Sequence, residues 1–270
     1  MSHDQLVARA RAGDRRALDE LLRDMKDLVY NLAIRMLGSP ADAEDASQEI
    51  LIRLVTGLES FRGDSSFRTW VYRVASNQLL TTRKRQAEMR TDSFEGMATR
   101  LEANLAAGAT AVADPLLVNE AKLICTSMML LCLDRDHRLA FILGEILELP
   151  SDEGAAVLGI GSDAYRKRLS RARSRMDEFM SASCGLVDAE RPCRCGKQAA
   201  YGVATGFIDR DRLVWSTHRA RASKQTHVDE IDAMERAVIV LRSTPSYVAP
   251  DSLVDGLRAL IDDNSGGLLS

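Results

Sequence analysis

The sequence predicts a mainly α-helical protein: two helical domains joined by a linker, followed by a small C-terminal extension. Three observations predict this. Apolar residues recur at steps of three and four through most of residues 1–90 and 116–180, the spacing that lines one face of a helix. Capping residues and glycines stand where those runs begin and end. Between the two periodic stretches lies ANLAAGATAVADP, small and polar, which reads as a connector rather than a core element. The 270 residues and a hydrophobic content of 46% are enough for two cores.

The first domain, residues 1–90, opens a helix at Asp14 that carries Leu18, Leu21, Leu22, Met25, Val29, Leu32 and Met36 and closes at Gly38. A second helix starts at once, with Ser39 as N-cap, Pro40 at the first helical position and Asp42 three residues after the serine. Leu51, Leu54, Val55 and Leu58 continue its apolar face. Gly63 and two serines break the pattern between Phe61 and Ser66, and FRTWVYRVASNQLLTTRKRQ reads as a third long helix with a basic end. Residues 91–115 form the linker.

The second domain, residues 116–180, contains the most distinctive stretch of the chain. SDEGAAVLGI reads as a short helix ending at Gly159, and GIGSDAYRKRLSRARSR leads through a turn into a second helix. Tyr165, Leu169, Ala172, Met176 and Phe179 align on one apolar stripe, while Arg166, Lys167, Arg168, Arg171, Arg173 and Arg175 occupy the other faces. Ser162 and Asp163 suit the helix start. This is the pattern of a DNA-reading helix-turn-helix. In the extension, residues 181–270, AAYGVATGFIDRDRLVWSTH reads as a small β-hairpin or irregular β piece around Asp209 to Asp211. Weak helical patterns follow near Val228 to Leu241 and Ser252 to Ile261.

Net charge is only −3, but it is segregated: the helix 162–179 is strongly basic and the tail beyond Lys224 is acid-rich. Such a patch is the footprint of a nucleic-acid partner. No stretch is long and apolar enough to span a bilayer, and the N-terminus has no apolar signal core, which predicts a cytoplasmic protein with no membrane partner. The five cysteines, with no export signal, argue against a disulfide framework. No H-E-x-x-H, no Cys–His spacing of a hydrolase and no phosphate-binding glycine loop is present, so the chain is read as a non-enzyme.

Taken in order, these elements resemble the extracytoplasmic-function sigma factors, the compact branch of the sigma-70 family that directs bacterial RNA polymerase to promoters. The likeness covers roughly Leu6 to Gln86 and Leu116 to Phe179. DAEDASQEILIRLV resembles the family's helix for binding core polymerase, which implies Asp45, Gln48, Glu49 and Ile52 as contact residues; the first three share a helix face by spacing. FRTWVYRVASNQLLTTRKR resembles the segment that melts and reads the minus-10 element. There Trp70, Val71 and Val74 read as core, whereas Arg73 and Asn77 suit an unstacked base, with Arg83, Lys84 and Arg85 beside them. Thr81 stands where the family often has an acid.

LDRDHRLAFILGEILELPSDEGAAVLGIGSDAYRKRLSRARSRM resembles the domain that reads the minus-35 element. Tyr165, Arg166 and Lys167, near the start of the second helix, are the expected base readers, and Arg168, Arg171 and Arg173 the expected phosphate contacts. The resemblance implies core RNA polymerase, through its beta-prime and beta subunits, and promoter DNA as partners, and it allows an anti-sigma factor. No cofactor is required. Cys184, Cys193 and Cys195 form C-x8-C-x-C, and three readings of them stay open: zinc or another soft metal with His218, His227 or water as a fourth ligand, redox sensing, or no special role. Cys125 and Cys132 read as core residues. The alternative function is a one-component metal- or redox-responsive helix-turn-helix regulator, which leaves the first domain without a task.

Overall fold

The computed structural model describes residues 1–81, 93–216, 220–221 and 233–263. The chain divides into two compact units, one of Met1–Arg83, Pro150–Tyr165 and Tyr247–Ser270, the other of Lys84–Leu149 and Arg166–Ser246. Strand among the described residues is limited to the two-residue pieces Ala220–Arg221 and Ser246–Tyr247.

The first unit begins with α1 (His3–Arg11), α2 (Arg15–Leu37), α3 (Pro40–Thr56) and α4 (Phe67–Thr81). Asp14 caps α2 by accepting from the N–H groups of Arg16 and Ala17, and Gly38 ends it at φ 66°. That left-handed geometry is costly for any residue with a Cβ. Ser39 then caps α3 through the N–H of Asp42, with Pro40 in the first turn. Both ends of α2 and the start of α3 are the expected ones, whereas α3 stops at Thr56 and Leu58 opens a short 3-10 turn, Leu58–Ser60. Leu21, Leu22, Met25, Val29 and Leu32 of α2 are fully buried with Ile50, Leu51 and Leu54 of α3 and Val71, Ala75 and Leu79 of α4, and the three helices pack on one another.

The same unit contains α8 (Ser151–Leu158), which packs on α4, and α12 (Ser252–Asp263), which packs on α2 and α3. Asn31 of α2 fastens the segment before α12: its Nδ2 donates to the carbonyl of Tyr247 at 2.6 Å, and its Oδ1 accepts the N–H of Tyr247 at 2.8 Å. Arg35, one turn on, donates to the same Oδ1 at 2.8 Å and lies over the Tyr247 ring at 5.8 Å. Burial pulls its guanidinium down to about 10.

The second unit contains α5 (Phe94–Ala106), α6 (Pro115–Leu131), α7 (Arg135–Phe141, continuing as a π turn over Ile142–Ile146), α10 (Cys195–Ala204), α11 (Ala233–Arg242) and, from Arg166 on, the body of α9 (Ser162–Ser183). Two expectations are corrected here. The stretch 91–115 is not a bare linker: α5 is capped by Ser93, and its Phe94 is buried against Phe179 with ring centroids 5.1 Å apart. Phe94 and Met97, three apart, give this short helix an anchoring edge that its many alanines hide.

The expected hairpin is the second correction. Residues 195–204 are helix α10, because Ala199 and Gly202 lie on one face and are buried. Ala199 joins Leu117 and Ala121 of α6 and Ile208 in one apolar cluster. The following turns are held by a side chain from α6, since the Glu120 carboxylate, only 2% exposed, accepts the N–H groups of Val214 at 2.8 Å, Trp215 at 3.0 Å and Ser216 at 2.6 Å.

Candidate functional site

On α3, Asp45, Gln48 and Glu49 are exposed and Ile52 is half-buried. The reason lies in the helix itself. Ala43, Ala46, Ser47, Ile50, Leu51, Leu54 and Val55 take the buried face, which leaves positions 45, 48, 49 and 52 on the outer one. Glu49 is steadied by Gln78 of α4, whose Nε2 donates to its Oε2 at 3.2 Å. The result is a small acid-and-amide surface with an aliphatic margin.

On α4, Trp70 and Val71 are buried, Val74 is half-buried, and Arg73 and Asn77 are exposed. Trp70 stacks with Phe67 at 5.7 Å and meets Phe61 at 5.6 Å. That cluster fixes the helix and leaves the opposite face to polar groups. Arg73 donates its Nε to the carbonyl of Ala156 at 3.0 Å, in the last turn of α8. A guanidinium there adds a second donor to a helix-end carbonyl that otherwise accepts the long Gly159 N–H bond of 3.4 Å. Arg83, Lys84 and Arg85 lie outside the described residues.

The turn between α8 and α9 has Gly159 at φ 64°, and the N–H of Tyr165 donates to the carbonyl of Gly161 at 3.0 Å to open the second helix. Tyr165 corrects an expectation. It is fully buried and belongs to the core, not to a base-reading surface. Its ring fills the space over Gly154, where a Cβ would lie 2.3 Å from Tyr165 Cζ. The residue sits on the apolar stripe with Leu169, Ala172, Met176 and Phe179, all buried, and that stripe decides its direction.

From Arg166 onward the helix presents Arg166, Lys167 and Arg171 as exposed cations. Arg168 is half-buried and pairs with Asp136 at 3.4 Å. Arg173 corrects a second expectation, because it is not free for phosphate: its Nε donates to Glu145 Oε1 at 2.5 Å. The Glu145 side chain is 4% exposed, and Arg242 of α11 also reaches it, donating to the Glu145 carbonyl at 2.7 Å. Arg175 pairs with Asp134 at 3.6 Å and lies over the Phe94 ring at 5.6 Å.

Among the tail thiols, Cys184 and Cys193 are joined by an isolated parallel backbone bridge, and Cys195 opens α10 two residues later. Cys184, Cys193 and Cys195 are half-buried, as is Cys125. Burial, then the neighbouring thiols, push Cys195 up to about 11 and Cys125 well above the usual thiol range. Cys193 is raised too, chiefly by burial. After burial, the charges that raise Cys125 are those of Cys184, Cys193, Cys195 and Cys132, so this core residue stands in the neighbourhood of the tail thiols. Nothing in the local sequence of α6 signals this. Among the described residues, no three His, Cys, Asp or Glu side chains stand close enough together to hold a metal ion. His218 and His227 lie outside the described residues.

Comparison with known proteins agrees with this arrangement. The family model Sigma-70 region 2 matches residues 21–88, and Sigma-70, region 4 matches residues 123–176. The chain is 31% identical over 176 residues to the ECF RNA polymerase sigma-E factor of Escherichia coli (strain K12), covering 64% of this chain and 91% of that one. It is 30% identical over 181 residues to the RNA polymerase sigma-H factor of Pseudomonas aeruginosa, covering 65% and 92%. The sigma factor RpoE of Bartonella quintana, solved with the anti-sigma factor NepR, aligns over 61% of this chain and 96% of that one at 21% identity and a TM-score of 0.44. No helix among the described residues is long and apolar enough to cross a membrane. With both regions matched in order and relatives covered almost end to end, the chain belongs to the extracytoplasmic-function branch of the sigma-70 family of RNA polymerase sigma factors.

Proposed function

We propose that this sigma factor engages core RNA polymerase through the outer face of α3, holds minus-10 DNA with the exposed end of α4, and reads the minus-35 element with α9. The observation that supports this best is the outer face of α3: Asp45, Gln48 and Glu49 are exposed together on a helix whose other side is wholly buried. Three groups on one rigid helix can meet a basic, partly apolar partner without ordering a loop, so little conformational entropy is lost on binding. On α4, Arg73 and Asn77 offer a stacking plane and an amide edge to an unpaired base. On α9, Arg166 and Lys167 reach base edges, and Arg171 holds phosphate.

In this reading the chain carries out no bond-making step. It supplies promoter choice, and opening of the duplex is driven by binding set against the few kcal/mol needed to unstack a base. For the tail, we propose Cys184, Cys193 and Cys195 as thiol ligands for zinc or another soft metal. The backbone bridge between Cys184 and Cys193 and the short spacing of Cys193 and Cys195 support it. Binding would draw the sulfurs inward and release their protons. An anti-sigma partner is compatible with the same α3 face.

The test of the α3 assignment is the affinity of purified chain for core polymerase. Asp45→Arg with Glu49→Arg should weaken it at least about tenfold, since like charges then face each other at close range. Unchanged affinity would remove α3 from the interface.

A further inference from the structure

The C-terminal segment of this chain is not a free tail. Residues from Tyr247 onward belong to the first unit, and α12 packs on α2 and α3. Its attachment runs along α2 in order. Asn31 grips both polar groups of the Tyr247 backbone, Asp27 Oδ1 accepts the N–H of Ala249 at 3.0 Å, and Lys26 Nζ donates to Asp251 at 2.8 Å. At the far end Arg258 meets Asp19 with two parallel bonds, of 3.0 and 3.1 Å. Leu253, Val254 and Leu257 are buried between these polar fastenings.

The position of the α12 helix matters for α3. A Cβ built on Gly256 would stand 3.6 Å from Gln48 Nε2, ordinary contact distance, so this turn of α12 lies against the edge of the acid-and-amide face. Asp45, Gln48 and Glu49 remain exposed beside it. A small molecule could still reach them, but a protein surface broad enough to cover all three would meet α12 at Gln48.

We propose that the segment 247–263 is an intramolecular competitor for the surface that core polymerase uses, and that it must leave α2 and α3 before the polymerase can seat. The inference rests on the α3 reading above. The fastenings suit a reversible dock. Asp251 keeps 68% of its side-chain surface in water, and Arg258 and Asp19 keep 38% and 35%; ion pairs open to solvent contribute little each. Among the described side chains the buried stripe of α12 is Leu253, Val254 and Leu257. A dock of that kind lowers apparent affinity by the fraction of molecules that hold it closed.

The experiment uses the full chain and core polymerase. Leu257→Glu places a charge in the buried stripe and expels α12, and the combined Asp251→Lys, Arg258→Asp variant removes both ion pairs from the tail side. Hydrogen exchange over 247–263 confirms release. Each should bind core polymerase about three- to tenfold more tightly than the wild type. Adding Asp19→Arg to Arg258→Asp restores the pair with reversed polarity and should return the affinity toward wild type. Released tail with unchanged or weaker core binding overturns the inference, as does failure of Leu257→Glu to release it, since the dock would then not be reversible by its own contacts. The Asp45→Arg, Glu49→Arg chain separates the two claims. If it binds core polymerase normally, the α3 reading fails; if it loses binding while Leu257→Glu changes nothing, only the competitor fails.

Discussion

Arg173 and Glu145 form a pair in which the acid is buried and the base is half in water: Nε to Oε1 is 2.5 Å, with side-chain exposures of 47% for the arginine and 4% for the glutamate. A buried carboxylate needs its donors, because an uncompensated charge in low dielectric is strongly unfavourable. The arginine therefore serves the fold, although its neighbours on the same helix are the proposed DNA contacts.

Arg173→Ala should consequently lower stability by about 1–3 kcal/mol, the smaller end being expected because Arg242 still reaches Glu145. Thermal unfolding of the purified chain reads this as a fall of several degrees. The salt dependence of promoter binding should stay unchanged. A flattened salt slope with an unchanged melting temperature would return Arg173 to the phosphate contacts.

Arg166 and Arg171 are exposed on the outer faces of α9. Arg166→Ala should change which minus-35 sequences are used, at about 1–3 kcal/mol on the preferred site. Arg171→Ala should weaken all promoters alike and reduce the salt slope by roughly one unit. Competition between promoter variants, titrated at several salt concentrations, distinguishes the two. Uniform loss from both would remove Arg166 from the base edges.

Gly154 and Tyr165 bind the two helices of the motif to each other. Gly154→Ala should destabilise by about 1–3 kcal/mol, the usual cost of forcing atoms into a filled core. The clash is with the end of a ring that has no room to turn, since Tyr165 is fully buried. Coupling it with Tyr165→Leu should recover part of the loss, and a double-mutant cycle on melting measures that recovery. Additive losses would mean that the ring moves aside freely.

Much of this architecture is written locally. Asp14, Gly38, Ser39 and Pro40 announce the ends of α2 and α3 because capping chemistry depends on neighbours a few residues away. The outer face of α3 follows from the spacing of Ala43, Ala46, Ile50 and Leu54 by the same logic. What stayed hidden depends on contacts distant in the chain. Tyr165 is ambiguous until Gly154 is seen beneath its ring, and Arg173 looks like any other cation until Glu145 is found buried beside it. Glu120 gathers N–H groups of residues 214–216, and Asn31 accepts the N–H of Tyr247 and donates to its carbonyl. No periodicity reveals either clasp. The hairpin expected after Ala199 failed because a Gly-rich, Val-containing run serves equally well as a thin helix packed on α6.

For the thiols, metal content by elemental analysis of the purified chain, read beside melting and transcription, decides the role. With a bound structural metal, Cys193→Ser should lose the metal and lower the melting temperature. In a sensor, Cys193→Ser and Cys195→Ser should leave melting nearly unchanged and hold transcription in one state whatever metal or oxidant is supplied. Unaltered metal content, melting and transcription in both variants would leave the cysteines with a packing role alone.

The central claim is that this chain confers promoter specificity on core RNA polymerase. Reconstitution tests it most directly: purified chain and core polymerase, transcribing fragments of the genome, with start sites mapped. The account predicts defined starts that need both components, share paired upstream elements and vanish with Asp45→Arg and Glu49→Arg. Tight, sequence-selective binding of the chain alone to a two-fold symmetric site, with no gain in initiation when core polymerase is added, would contradict it.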